Sequence, residues 1–562
     1  MSLLTMLGGV AVFMYGMKQM SQVMEQGVGA TWRNLFKKIN KNSAVNYGVG
    51  IGTTAIVQSS SATSIMTVGL ANAGIVDVKQ GSGIILGAKV GTTLTAFIFA
   101  LSGINKGSFS MSAIFSALAF IGVILIYTTN KDSLSKVALF LLGFGMLFVG
   151  LEVMEFAIGG SDSLLSMQLQ KLFQYDIMYN PILLVLLGML FTGIIQSSTA
   201  ATGLFLIFLT TGVIGSIDQS FFLIMGANIG TCSDGLMASI GTNSNGKRIA
   251  IFHVLTSTIG ALAFSVILMM FRLPITNMFE GIFPDNPQWS LATFNLVYNV
   301  LYTLVLLVFL NPLVDLVKKI VKDKKSKTAK THYIDERLLA TPQVALDQAV
   351  KEVSNMAIMA HENFSLAFNG LMHEDMSQSK KIANMEYQVD DLTRALVDYF
   401  IKISSTAISA KSGKLIGSLH HITNDIERIG DHAVLLAKET NYMKQLDVRF
   451  IDETKAEMEE INSKISKMFE LSLEAFNTRD PENLEEISEI HVKIISLIAT
   501  ATNANVLRLN SNMYSIEVSK SFYAALLSLQ RVADHIVNIG FSIGSDTGSK
   551  AEVFGVESWH SL

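Results

Sequence analysis

The chain has 562 residues, of which half are hydrophobic and 16% are charged; its net charge is −4 and its mean hydropathy +0.43. Soluble domains carry about 25% charged residues, so a single soluble enzyme, a disulfide-rich secreted scaffold and a disordered chain are excluded. The lone cysteine, Cys232, leaves no intrachain disulfide and no cysteine-rich metal motif, and the small net charge offers nothing to a nucleic-acid partner.

The composition changes near residue 317. Residues 1–317 hold 26 charged residues and 34 of the 42 glycines, whereas residues 318–562 hold 62 charged residues. A glycine-rich, charge-poor block followed by an ordinary charged block reads as a membrane domain joined to a soluble one. In chain order, apolar stretches near 3–24, 110–128, 136–157, 249–271 and 290–317 are long enough to cross a bilayer. Met1–Gly16 lacks the basic start of a signal peptide, so the first stretch is expected to be a retained membrane helix. Between them, 48–76, 81–102, 181–213 and 219–240 are apolar but interrupted by Gly and polar residues. Such breaks belong where backbone is buried in protein or lines a cavity.

Loop charges give an expected orientation. Arg33, Lys37, Lys38 and Lys41 follow the first helix, Lys131 and Lys136 precede the helix at 136–157, and Lys247 and Arg248 precede that at 249–271. After residue 317 come Lys318, Lys319, Lys322, Lys324, Lys325, Lys327 and Lys330, while Glu152, Glu155, Asp162, Asp176, Glu280 and Asp285 lie in the opposite loops. The amino terminus is then outside and the charged block in the cytoplasm. The polybasic stretch reads as a stop-transfer flank.

The membrane block is an internal duplication. "GIGTTAIVQSSSATSIMTVGLANAGIV" (50–76) lies over "GMLFTGIIQSSTAATGLFLIFLTTGVI" (188–214) at an offset of 138 residues. Gln58, Ser59, Ser60 and Ser61 thereby lie over Gln196, Ser197, Ser198 and Thr199. One residue later in register, "GAKVGTT" (87–93) lies over "GANIGTC" (226–232), and "MYGMKQM" (14–20) resembles "FVGLEVM" (148–154). The loop charges run the first helices of the two copies in opposite directions, so the repeats are expected to be inverted. Inverted repeats with broken helices point to a secondary transporter with its site near mid-membrane. Neutral hydroxyl and amide oxygens suit a monovalent cation such as sodium, and hydroxyl, amide and backbone N–H donors suit an oxyanion. Interhelical hydrogen bonding is the alternative use of such residues; an identical Gln-Ser-Ser placed twice at a fixed offset favours the site.

These doubled segments, with "MYGMKQM", resemble the type II sodium–phosphate cotransporter family over residues 3–317. The resemblance implies sodium-coupled movement of inorganic phosphate, with the eight Gln, Ser and Thr residues above holding phosphate and sodium, and Thr92, Thr93, Asn228 and Thr231 supporting sodium. Two positions depart from the pattern: Thr199 replaces a serine, and Lys89 stands where Asn is expected and where the second copy has Asn228. An ammonium cannot coordinate sodium, so Lys89 either replaces one sodium ion, pairs with phosphate, or snorkels to an interface. Asp234 is expected near the second site or as a helix cap, and His253 as a packed or interfacial residue.

From Thr341-Pro342 onward the chain shows helical apolar spacing with little Gly or Pro, giving six helices near 342–371, 376–408, 411–441, 450–478, 481–508 and 514–543. They are expected to form two three-helix bundles. This block repeats at an offset of 103, with "NDIERIGDHAVLLA" (424–437) over "LSLQRVADHIVNIG" (527–540). "MEYQVDDL" (385–392) and "DIERIGDHA" (425–433) resemble the PhoU domain, a regulator of phosphate uptake, over about 333–545. The resemblance implies a divalent or transition-metal site on Glu386, Asp390, Asp425, Glu427 and Asp431. The second copy keeps too few carboxylates, with Ser528, Gln530 and Lys493 in their places, so at most one site is expected; salt bridges on solvated faces are the alternative.

The expected architecture is all-α. It comprises repeat 1 (1–130), repeat 2 (131–317), a basic linker (318–341), a cytoplasmic PhoU-like domain (342–545) and a tail (546–562). The expected function is sodium-coupled phosphate transport across the cytoplasmic membrane, not enzymatic, with lipid bilayer, phosphate, a homodimer mate and a regulatory partner as contacts. Export of phosphate, transport of another oxyanion, and a membrane phosphate sensor are the competing readings.

Overall fold

The computed structural model describes residues 2–27, 38–103, 105–106, 109–129, 131–159, 164–175, 180–284, 286–322, 333–340, 342–406, 408, 410–511 and 513–542. Arg33, Lys37, Asp162, Asp176, Asp285, Lys324, Lys325, Lys327, Lys330, Thr341 and the tail 546–562 lie outside the described residues. The chain divides into two compact units, Met1–Ser326 and Lys327–Leu562.

In the first unit, helix α1 (Ser2–Gly27) is followed by α2 (Ser43–Val57), α3 (Ser60–Asn72) and α4 (Val78–Ala100). A two-residue antiparallel pair, Asn105–Lys106 with Phe109–Ser110, leads into α5 (Met111–Thr128). The second half runs α6 (Asp132–Gly159), α7 (Leu164–Gln174), α8 (Pro181–Ile195), α9 (Ser198–Thr210), α10 (Ile217–Gly230) and α11 (Cys232–Ala238). Helices α12 (Ser244–Met270), α13 (Arg272–Ile282), α14 (Pro287–Val308) and α15 (Leu310–Ile320) complete it. Among the described residues here, six spans are long and apolar enough to cross a membrane: 78–100, 111–128, 134–159, 217–238, 244–270 and 287–308. Large apolar side chains such as Phe120, Phe156, Ile194, Met270 and Val308 are left exposed, which is stable against lipid and not against water. This unit makes the chain a multi-pass membrane protein.

The repeat is carried down to the caps. Asn42 and Asn180 each cap the next helix by accepting a hydrogen bond from the amide two residues on, as short polar side chains do at an N-cap. Glycines let the helices touch backbone to backbone. A Cβ on Gly87 would strike the carbonyl of Tyr47, and one on its repeat mate Gly226 would strike the carbonyl of Val185, the mate of Tyr47. Helix α1 packs on its own counterpart α6: a Cβ on Gly16 would lie 2.6 Å from the carbonyl of Gly143, and one on Gly143 2.9 Å from the carbonyl of Gly16. A Cβ on Gly9 would lie 3.1 Å from the carbonyl of Gly150. Ascending numbers on α1 meet descending numbers on α6, so the two helices are antiparallel and their contact is self-complementary.

Two expected spans differ. The stretch 81–102, expected to be interrupted, is continuous helix α4 as far as Ala100: Gly83, Gly87 and Gly91 recur every four residues on the face pressed against α2 and act as packing positions. The span 290–317 is divided into α14 and α15 around Phe309. Pro312 has no N–H for the carbonyl of Val308, four residues back, and its ring crowds that carbonyl. Helices α7 and α13 fall in stretches that sequence left as loops.

The second unit has six long helices: α16 (Pro342–His373), α17 (Ser379–Ser404), α18 (Ala410–Gln445), α19 (Asp452–Thr478), α20 (Leu484–Asn510) and α21 (Ile516–Phe541). They agree closely with the helical periodicity of the sequence. Helices α16 to α18 pack together, as do α19 to α21, and α16 against α19 and α18 against α21 join the two bundles. Helix α20 is as apolar as a membrane span, but Leu484, Ile487, Ile494 and Ile498 are buried in the bundle while Glu485, Glu486, Glu489 and Lys493 are exposed. That amphipathic division is the signature of a soluble bundle helix.

Candidate substrate and ion site

Each Gln-Ser-Ser segment is a sharp break between two helices. Helix α2 ends where Gln58 turns left-handed (φ 57°, ψ 23°), its amide donating to the carbonyl of Thr54; α8 ends at Gln196 (φ 58°, ψ 28°), its amide donating to Thr192. Non-glycine residues pay roughly 1–2 kcal/mol for this conformation, yet both copies adopt it. The following serines restart the chain. Ser59 and Ser197 are extended, and each hydroxyl oxygen accepts from a main-chain amide three residues on, Ala62 and Ala200, at 3.1 Å. Helices α3 and α9 thus begin at the breaks with amide N–H groups directed there, an arrangement that favours anions.

Both breaks open on one cavity of about 640 Å³. All eight residues of the two segments line it: Gln58 to Ser61 and Gln196 to Thr199. Helix α1 closes it with Tyr15, Lys18, Ser21 and Gln22. Ser21 also donates to the carbonyl of Val57 at 2.7 Å, tying α1 to the first break. Gln58 Oε1 is buried and receives no hydrogen bond among the described residues.

A second, smaller cavity of about 20 Å³ lies beside the second break. Its walls are Thr92 and Thr93 of α4, Ser198, Thr199 and Thr202 of α9, Asn228 of α10, and Asn295 and Asn299 of α14. Thr92 and Thr93 donate their hydroxyl protons to main-chain carbonyls of Ala88 and Val90 at 2.9 and 2.7 Å, which leaves their oxygen lone pairs for a guest. Asn299 donates from Nδ2 to the carbonyl and the side-chain oxygen of Asn295, both at 2.8 Å, while its own Oδ1 is buried with no donor among the described residues. A space of this size holds one water-sized particle, and neutral oxygens are the ligands a hard monovalent cation takes.

Lys89 lines the small cavity and is only 4% exposed, so it does not snorkel. Its ammonium donates to the carbonyl of Asn228 at 2.9 Å and approaches Cys232 Sγ at 3.9 Å. Asp234 sits at the first Gln-Ser-Ser segment, not the second: its carboxylate accepts a short hydrogen bond from Ser61. Thr231 lines neither cavity; it is buried at the break between α10 and α11 and donates to the carbonyl of Ala227. His253 is buried, with Gly235 packed against its ring.

Sequence reasoning missed Lys18, Thr202, Asn295 and Asn299. The Asn pair carried a signal, since two amides four residues apart in an apolar span share one helix face. Lys18 stood inside "MYGMKQM", which served only to register the repeat.

In the helical unit, no three His, Cys, Asp or Glu side chains among the described residues come together as a metal-ligand set. Of the expected metal-site residues Glu386, Asp390, Asp425, Glu427 and Asp431, Asp425 is drawn to the other bundle. Asp425 accepts from His535 at 2.8 Å and from Asn538 at 3.3 Å, across the two bundles. The other four repel one another. Partial burial and the neighbouring Asp390 and Asp431 push the Glu386 carboxyl up, and burial with Asp431 and Asp390 does the same to Glu427.

A duplicated membrane unit whose two helix breaks share a polar cavity, beside an oxygen-lined space of ionic size, defines a protein of the secondary-transporter class. Residues 12–156 and 159–282 match the Na+/Pi-cotransporter family, and residues 353–440 and 458–543 match the PhoU domain. The first unit thus carries a Na+/Pi-cotransporter module and the second a PhoU domain. It is 24% identical over 550 residues, 97% of each chain, to the Salmonella typhimurium protein named "Putative inorganic phosphate export protein YjbB". Over 267 residues it is 29% identical to the Bacillus subtilis protein named "Uncharacterized protein YqeW", 47% of this chain and 80% of that one. The crystal structure of PhoU from Pseudomonas aeruginosa aligns at 22% identity with 35% of this chain and 95% of its own, with a TM-score of 0.34.

Proposed function

We propose that this protein moves inorganic phosphate across the membrane in a sodium-linked cycle. The observation that carries the reading is the convergence of both Gln-Ser-Ser breaks on one cavity. Phosphate is held there by the amide groups starting α3 and α9, by the serine hydroxyls and by the two Gln amides, with Lys18 supplying positive charge. Gln58 Oε1, buried without a donor, accepts from the protonated oxygen that phosphate carries near neutral pH.

Sodium takes the small cavity, on oxygens of Thr92, Thr93, Thr202, Asn295 and Asn299. Ser198 and Thr199 line both spaces, so ordering them around sodium prepares the phosphate site. Each solute then raises the affinity of the other by the same factor. The antiparallel, self-complementary contact of α1 with α6 supports inverted repeats that rock against each other to expose the site alternately. In this scheme the PhoU domain is cytoplasmic and adjusts the rate to cell phosphate.

A second reading concerns direction. Relatives that cover 97% of this chain are named for phosphate export, and the same site serves export when coupling or gradients favour it. Radiolabelled phosphate flux in proteoliposomes, with sodium gradients imposed in either sense, tests both. Flux that follows the sodium gradient supports symport. Outward flux indifferent to sodium supports export alone.

A further inference from the structure

The duplication lets every ion ligand be carried to its mate in the other copy. The walls of the small cavity, Thr92, Thr93 and Ala96 with Ser198, Thr199 and Thr202, correspond to Thr231, Cys232 and Gly235 with Ser60, Ser61 and Ser64. The second set is also assembled. Cys232 Sγ donates to Ser257 at 3.2 Å on α12, and Ser61 donates to Asp234 in the turn after Cys232. Helix α12 thus stands to this set as α14, with Asn295 and Asn299, stands to the small cavity.

The two positions differ in charge. The small cavity is lined by neutral oxygens and by the side chain of Lys89, whose ammonium reaches on to Cys232 of the mate position. At its mate, Lys89 replaces the Asn of the second copy, and Asp234 replaces Thr95. The Lys89 ammonium reaches the Asn228 carbonyl at 2.9 Å and Cys232 at 3.9 Å, and it interacts electrostatically with Asp234 and with His253. A buried ammonium is retained only with such partners.

We propose that the Lys89 ammonium is a tethered cation that permanently fills the second of the two repeat-related ion positions. Its charge acts on the nearby Asp234 carboxylate, which holds Ser61 of the first phosphate-binding break. The protein then exchanges sodium at one position only, and the first break is held ready without an ion having to enter. The proposal rests on the sodium-linked reading above and assigns to Lys89 the stoichiometry of that cycle.

Sodium dependence of phosphate flux in proteoliposomes tests it, with sodium-dependent melting of the purified full chain as a readout apart from transport. The wild type is expected to show a Hill coefficient of about 1 for sodium, the limit for a single exchanging site. Lys89→Asn leaves Asp234 without a cation, and sodium fills the vacated place: the coefficient rises toward 2, and sodium stabilises the variant more than the wild type. Lys89→Arg keeps the charge and the wild-type coefficient. A folded Lys89→Asn protein whose sodium dependence and sodium-induced melting shift equal those of the wild type overturns the proposal. Should that variant not fold, the same comparison is made on Lys89→Gln, with the same two outcomes. Wild-type flux without any sodium dependence contradicts the sodium-linked reading instead, and a sodium requirement acquired by Lys89→Asn would then still support the tethered cation.

Discussion

Gln58 and Gln196, 138 residues apart, hold the same left-handed backbone, φ 57° and 58°, and each amide donates back to a threonine four residues earlier. Glycine adopts this conformation without the steric cost that glutamine meets. Two glutamines kept in it mark a use for the side chains. Gln58→Gly and Gln196→Gly are therefore expected to melt no lower than the wild type, with relief of about 1 kcal/mol at each site, while phosphate transport falls more than tenfold. Loss of folding in both would show that the amides serve structure.

Asn299 tests the ion cavity. Its Oδ1 is buried without a donor beside Thr92, Ser198 and Thr199. Asn299→Ala removes one sodium ligand and keeps the phosphate site, so half-saturation by sodium should rise about tenfold, the equivalent of 1.4 kcal/mol, with little change in maximal rate at saturating sodium. Equal sodium affinity in the variant would move the ion site elsewhere.

Selectivity follows from Gln58 Oε1. Phosphate and arsenate carry a protonated oxygen near neutral pH, and sulfate does not. A buried acceptor left facing sulfate costs on the order of 1–3 kcal/mol. Competition assays should show arsenate displacing phosphate and sulfate failing at a tenfold or greater excess. Efficient competition by sulfate would contradict the role given to Gln58.

In the helical unit, pH acts through two opposed groups. Burial and the Asp431 and Asp390 charges push the Glu427 carboxyl up, so the folded state binds its proton more readily than the unfolded chain and gains stability as pH falls through that raised value. Burial, with His535 next, pulls His432 down to about 4; its stabilising contribution is present above the ordinary value near 6.5 and is lost as pH falls toward 4. Glu427→Gln removes the repulsion, so its melting temperature should exceed the wild type's at pH 8 by on the order of 1 °C, with the difference closing near pH 5. His432→Phe should lessen the loss of stability between pH 6.5 and 4. Thermal melts of the full chain across this range check both.

Much of this was legible in the residues. The Gln-Ser-Ser duplication located both breaks because helix termination and N-capping are local events, fixed by Gln58-Ser59 and Gln196-Ser197 themselves. The six helices of the second unit followed from periodicity. What sequence left open depends on distant packing. Glycines in 81–102 read as breaks because nothing local says that α2 lies against them. Asp234 could not be assigned to Ser61, 173 residues away, before the fold brought α3 and α11 together. Nor does helix spacing encode that Asp425 turns to His535 of the other bundle.

In the proposed cycle one cavity between the two Gln-Ser-Ser breaks binds phosphate, and sodium binds beside it through the shared Ser198 and Thr199. Calorimetric titration of the purified protein with phosphate, in sodium and in a sodium-free buffer of equal ionic strength, tests it most directly. Phosphate is expected to bind more tightly in sodium, by a factor equal to the gain in sodium affinity caused by phosphate, and to lose that binding in Gln58→Ala and Gln196→Ala. Phosphate binding of equal strength in both buffers would contradict the coupling, and unaltered binding in both variants would contradict the site.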